Sequence, residues 1–189
     1  FIDFKNYKGG QPMNIYVLLK RTFDTEAKIS LSDGAVNEDG AKFIINPYDE
    51  YAVEEAIVTR DAHGGEVTVI TVGNDEAETE IRTALAMGAD KAVLINVEDD
   101  VDDRDQYTTA KVIAEYLKDK NADLIFAGNS AVDNSTSQVG HRVADLLGIP
   151  CVTSAIKFEL EGTTATITRD IEGDSEVVSA ELPMLVAAT

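Results

Sequence analysis

Short apolar runs, set apart by amphipathic stretches, restrict this chain to one broad architecture. Ile15-Tyr16-Val17-Leu18-Leu19, Val67-Thr68-Val69-Ile70-Thr71-Val72, Ala92 to Asn96 and Leu124 to Ala127 read as strands buried on both faces. Between them lie helical stretches. One opens at Asn46-Pro47, where Asn46 suits the N-cap and Pro47 the first helical position, and stops at His63-Gly64-Gly65. The others run from Glu76 to Met87 before Gly88, from Gln106 to Lys118, and from Val139 to Leu147 before Gly148 and Pro150. Such alternation predicts an α/β domain, a parallel sheet with helices on both faces. Arg21 to Lys42 forms a polar excursion, with a small hairpin expected where Ile29 and Leu31 precede Ser32-Asp33-Gly34. From Cys151 the apolar period becomes two, with Ile156, Phe158 and Leu160 alternating with polar residues. Turns follow at Glu161-Gly162 and Glu172-Gly173-Asp174, and a last apolar run at Met184 to Ala187. This predicts a C-terminal antiparallel strand meander attached to the sheet's edge.

In such sheets ligands sit at the C-terminal ends of the strands. Three segments are expected to converge there: the residues after the first strand, Val72-Gly73-Asn74, and Gly128-Asn129-Ser130-Ala131-Val132-Asp133-Asn134-Ser135-Thr136-Ser137-Gln138-Val139-Gly140. The last is the most informative. It joins a buried strand to a helix N-terminus, where free N–H groups and the positive end of the helix dipole favour a phosphate. Gly128 and Gly140 permit close backbone approach, and Ser135, Thr136, Ser137 and Gln138 offer neutral hydrogen bonds. Spacing alone leaves two readings open, a nucleotide site and an ordinary loop rich in capping residues.

The charge of −19 disfavours nucleic-acid backbones and anionic membranes as partners. No apolar run is long enough to span a bilayer. One cysteine, Cys151, excludes an internal disulfide and makes a reduced, cytoplasmic setting the default expectation. It follows Ile149-Pro150 at a strand start and reads as a packed small residue. His63 and His141 stand alone, so no metal-ligand spacing is present, and the acidic run Glu98 to Asp103 lacks the glycine and glutamate of an EF-hand. No catalytic triad or carboxylate pair is evident, so the chain is not expected to be an enzyme. Residues 1–12 read as a leader outside the domain, which then runs from Met13 to Thr189.

Four segments resemble the beta subunit of electron-transfer flavoprotein. They are Leu19-Lys20-Arg21 with Asp24; Ile45-Asn46-Pro47-Tyr48 leading into Ala52-Val53-Glu54-Glu55-Ala56; Ile81-Arg82-Thr83-Ala84-Leu85-Ala86-Met87-Gly88-Ala89-Asp90; and Ile167 to Val178 with Pro183 to Ala187. The resemblance covers Met13 to Thr189. It implies an adenine-nucleotide-binding, Rossmann-like domain that pairs with an alpha subunit. The heterodimer would carry FAD, held mainly by the alpha subunit, and pass electrons from acyl-CoA dehydrogenases to a quinone reductase in fatty acid oxidation. In the common type the beta subunit binds AMP; in the bifurcating type a second FAD takes that pocket. The family also continues beyond the strand ending here, with a docking loop for dehydrogenases and an arm around the alpha subunit.

The same resemblance carries the AMP contacts onto Leu18, Asn46, Pro47, Tyr48, Asp49, Val72 and Gly128 to Val139, with Leu18 and Val72 using backbone atoms. Tyr48 matches an aromatic near the alpha-subunit flavin. Asn134, Ser137 and Val139 stand where other members have Asp, Asn and Thr, His141 where many have proline, and Thr25 where some have an aromatic. Simpler roles compete. Tyr48 can be a packing aromatic, Asp133 can pair with Arg142 or cap the next helix, and Arg82 and Arg169 can be surface ion-pair partners. A free-standing AMP- or ATP-sensing homodimer fits the α/β pattern equally well.

Overall fold

The computed structural model describes residues 12–37, 39–97 and 104–189. Of residues 1–12, read above as a leader, all but Pro12 lie outside the described residues, as does the acidic run Glu98 to Asp103. In chain order, β1 (Asn14–Leu18) leads into β2 (Arg21–Phe23), the hairpin of β3 (Ser30–Ser32) and β4 (Ala35–Asn37), and β5 (Phe43–Ile45). The hairpin turns on Asp33 and Gly34, both at positive φ, the geometry a two-residue Asp-Gly turn requires. β2 and β5 pair antiparallel, with Phe23 and Phe43 rings 4.6 Å apart, and Arg21 lies over the Phe43 ring at 3.4 Å. These two strands bracket the polar excursion and hold it to the domain.

Then follow α1 (Pro47–His63), β6 (Glu66–Gly73), α2 (Glu78–Met87), β7 (Lys91–Asn96), α3 (Gln106–Leu117), β8 (Leu124–Gly128) and α4 (Val139–Leu147). The stretch expected to start helix α2 at Glu76 forms a 3₁₀ turn first, Asp75–Ala77, with Asn74 accepting from the Glu76 N–H at 3.2 Å. Last come β9 (Cys151–Glu161), β10 (Thr164–Asp170), β11 (Ser175–Glu181) and β12 (Met184–Ala188).

The main sheet has the order β11-β10-β9-β12-β8-β1-β6-β7. Its centre is parallel: Val17 lies in register with Val69 of β6 on one side and Phe126 of β8 on the other. Alternate residues of each central strand feed two cores. Ile15, Val17, Val69, Leu124, Phe126, Met184 and Val186 pack against Ala52, Val53 and Ala56 of α1 and Ala84 of α2. Leu18, Ile70, Ile125, Leu185 and Ala187 pack against Ala110, Ile113 and Leu117 of α3 and Val143 and Ala144 of α4. Burial on both faces is why these strands read as continuous apolar runs.

The antiparallel meander is present as β9, β10 and β11. The last apolar run is not its fourth strand. β12 inserts between β9 and β8, parallel to both, and joins the meander to the central sheet. The reason is burial: Met184, Leu185, Val186 and Ala187 are all at most 1% exposed, which a half-solvated meander strand cannot offer.

Candidate functional site

After β1 the chain builds the sheet outward through β6 and β7, with α1 and α2 on one face. It then returns to the other side of β1 for β8, with α3 and α4 on the opposite face. Right-handed crossovers require that change of face when the order reverses. The reversal opens a crevice between β1 and β8, and a cavity of about 260 Å³ lies there, at the ends of β1, β6, β8 and β12.

The start of α1 organises one wall. Asn46 occupies the N-cap position, but its side chain makes no capping bond. It reaches across to the β8–α4 loop instead: its Nδ2 donates to the Ser130 carbonyl at 2.8 Å, and its Oδ1 accepts from the Val132 N–H at 3.1 Å. Asp49, one turn into α1, accepts from the Lys20 N–H at 2.7 Å and the Gly128 N–H at 2.9 Å. One buried carboxylate therefore ties together the ends of the two strands that flank the crevice. Burial pushes this carboxyl up to about 7, against the lowering effect of those N–H donors and the nearby Lys20 charge. Gly128 is required at this contact. A Cβ there would meet Asp49 Oδ1 at 2.3 Å and Tyr48 Cβ at 2.8 Å. Gly140 is different, because an added Cβ meets Leu185 and Ala127 only at ordinary distances of 3.5 and 3.6 Å.

The β8–α4 loop forms the other wall. Ser135 and Ser137 both have φ of +51°, backbone that L-residues adopt at a cost of about 1–3 kcal/mol and that concentrates at ligand sites. Asn134 Oδ1 accepts from the Thr136 N–H, and the Ser135 N–H donates to the Ala131 carbonyl at 2.8 Å. No side chain caps α4, so its first-turn N–H groups are left for another acceptor. Asn129 anchors the loop's start. Its N–H donates to Ala188, and its Oδ1 accepts from the N–H of Ser154, a residue at φ +54° in β9.

Of the residues singled out from the sequence, Leu18, Asn46, Asp49 and Val72 line the cavity. So do Gly128, Asn129, Ser130, Ala131, Asn134, Thr136, Ser137, Gln138 and Val139. Pro47 and Tyr48 do not: Pro47 is the first residue of α1, and Tyr48 is half-buried with its Cβ against Gly128. Val132, Asp133 and Ser135 are exposed on the outer side of the loop. Asp133 neither caps α4 nor pairs with Arg142. It forms an ion pair with Lys20 at 2.6 Å, while Arg142 Nη2 donates to Gln138 at 2.8 Å. Gly73 and Asn74 lie outside the cavity as well, so of the segment after the second strand only Val72 reaches it.

The structure adds Lys20, His141 and, from the start of α3, Arg104, Asp105, Gln106 and Thr109. The local signal for the α3 residues is the cap alone: Asp105 accepts from the Thr108 N–H at 2.7 Å. Their position in the cavity follows from α3 packing beside α4, where Arg142 approaches the Tyr107 ring at 5.7 Å. Cys151 is partly buried, and burial pushes its thiol up to about 11, which keeps it protonated and unreactive. Arg82 and Arg169 pair with Glu78 and Glu176. Among the described residues no acidic, histidine or cysteine cluster suits a metal ion, and no helix is long and apolar enough to cross a membrane.

A largely parallel α/β sheet with its cavity at a reversal of strand order defines an α/β domain of the doubly wound class, and the cavity lies where sheets of that class take their ligands. Residues 33–189 match the family model described as the electron transfer flavoprotein domain. The chain is 56% identical over 176 residues to the electron transfer flavoprotein subunit beta of Bacillus subtilis (strain 168), covering 93% of this chain and 68% of that protein. It is 41% identical to the subunit of the same name from Syntrophomonas wolfei, covering 93% and 69%. Against the caffeyl-CoA reductase-Etf complex subunit CarD of Acetobacterium woodii it is 37% identical, covering 92% and 67%. The chain belongs to the electron transfer flavoprotein family, among its beta subunits. That family consists of electron carriers rather than catalysts, a flavin belongs to its assembly, and a beta subunit has an alpha-subunit partner.

Proposed function

We propose that this chain binds AMP in the crevice between β1 and β8 and, with an alpha subunit, helps to hold FAD for electron transfer from acyl-CoA dehydrogenases to a quinone reductase. The observation carrying the nucleotide assignment is the uncapped N-terminus of α4, which faces a cavity walled by Gly128 to Val139 at the switch point. The loop supplies neutral donors at Ser130, Thr136 and Ser137, and Leu18, Ile70 and Val72 supply an apolar floor suited to a purine ring. Asp49 and Asn46 act indirectly, by holding the loop to β1 and α1. When bound, the flavin supplies the redox chemistry, and the protein positions it.

The decisive substitution is Ser137→Asp. Aspartate tolerates positive φ, so the loop keeps its course while a carboxylate enters the phosphate position. AMP affinity by calorimetry should fall at least about tenfold, a loss of ~1.4 kcal/mol or more. Unchanged affinity in a folded variant would remove the loop as the site. A second reading places a further FAD in the same cavity. It is favoured by two relatives named as parts of acyl-CoA reductase systems, CarD and the acryloyl-CoA reductase electron transfer subunit gamma of Anaerotignum propionicum. The nucleotide released when the purified protein is denatured, with and without its alpha subunit, separates the two: AMP supports the first and stoichiometric flavin the second.

A further inference from the structure

We infer that Arg104 is a ligand-contacting residue of this cavity, and that its guanidinium supplies the positive charge that pairs with the nucleotide's phosphate. The inference rests on the reading of the cavity as an AMP site and assigns a residue to it that lies outside the loop. A phosphate monoester carries close to two negative charges at neutral pH, but the side chains of the cavity's loop wall are neutral. Ser130, Asn134, Thr136, Ser137 and Gln138 donate or accept without charge. Lys20 is committed to Asp133, with its Nζ 2.6 Å from the carboxylate. Arg142 is committed to Gln138 Oε1 through Nε and Nη2.

Arg104 is the exception. It lines the cavity, and its Nε is buried without a hydrogen-bond partner. No carboxylate among the described residues pairs with it, in a chain whose acidic residues outnumber its basic ones by 35 to 16. The neighbouring Asp105 carboxylate is held by the Thr108 N–H at 2.7 Å, capping α3. The residue directly before that cap is fixed beside the first turn of α4, because Tyr107 and Arg142 pack the two helix starts together. An anion seated on the α4 N–H groups would therefore meet the guanidinium from the α3 side. Its planar fork suits phosphate oxygens, and it would satisfy the N–H now left without an acceptor.

The test is calorimetry of AMP, adenosine and inorganic phosphate on the complex with the alpha subunit, freed of nucleotide, for the parent, Arg104→Gln and Arg104→Lys. Losing a charge-assisted contact should weaken AMP by about tenfold to a hundredfold in Arg104→Gln, with adenosine affinity within about twofold. Arg104→Lys keeps a point charge without the fork. It should recover part of the preference for AMP over adenosine, and it serves as the informative variant if Arg104→Gln unfolds. Equal losses for AMP and adenosine, or no loss for AMP, would overturn the assignment while leaving the AMP site intact. A parent protein that binds neither AMP nor adenosine would overturn the site itself, and the assignment with it.

Discussion

Gly128→Ala gives the sharpest test of how the crevice is built. The new Cβ would lie 2.3 Å from Asp49 Oδ1, 2.8 Å from Tyr48 Cβ and 3.0 Å from Asp49 N. Only the first of these atoms can rotate away. The other two belong to the rigid first turn of α1, so the helix must shift off β8. Overpacking of that kind costs about 1–3 kcal/mol. The shift also breaks the 2.9 Å bond from the Gly128 N–H to Asp49, leaving a buried donor and a buried carboxylate short of a partner for a further ~1–3 kcal/mol. A total of about 3 kcal/mol corresponds to a fall in Tm of about 6–12 °C for a domain of this size. Thermal melts followed by circular dichroism, with denaturant titration in parallel, measure it. Adding Asp49→Ala removes the closest clash, so the double variant should be more stable than the sum of the single losses by about 1 kcal/mol or more. A fall below about 2 °C for Gly128→Ala, or strict additivity in the pair, would refute the account of Asp49 and Gly128 as the clasp between α1 and β8.

Asp49 should also give the protein a recognisable pH dependence. Burial raises its carboxyl from 3.8 to about 7 in the folded chain, so the folded state keeps a proton that the unfolded state releases across that interval. The group's contribution to stability is full below about pH 4 and lost as pH rises to about 7. Relative to Asp49→Asn, the parent should lose stability between about pH 4 and about pH 7 in urea titrations, and a relative gain with rising pH would contradict the assignment. On the α2 side of the same strand ends, the Arg21 Nε lies 3.4 Å from Glu80, a carboxylate only 5% exposed. Arg21→Met leaves that charge buried and unpaired and should cost about 3–5 kcal/mol, whereas Arg21→Met with Glu80→Leu should recover most of it. No recovery in the double variant would show that the arginine matters through its packing on Phe43 instead.

The elements themselves were legible in the sequence because their signals are local. Apolar runs marked the central strands, Asp33-Gly34 the hairpin, Pro47 the start of α1, and Gly88 and Gly148 the ends of α2 and α4. The motif segments likewise pointed to the family, and the Gly128 to Val139 loop to the end of the sheet where the cavity lies. What tertiary structure alone decided depends on partners far apart in the chain. The last apolar run could extend the meander or enter the sheet, and only the pairing of Met184 with Leu124 and of Leu185 with Cys151 made it a buried parallel strand. Asn46 reads as a helix cap, yet its side chain serves Ser130 and Val132, 84 and 86 positions away. Asp133 finds Lys20 across 113 positions rather than Arg142 nearby. Arg104 carries no motif, and its place in the cavity comes from packing α3 against α4. Backbone conformation answers to neighbours along the chain, whereas a polar side chain goes to whichever buried donor or acceptor the fold leaves within about 3 Å.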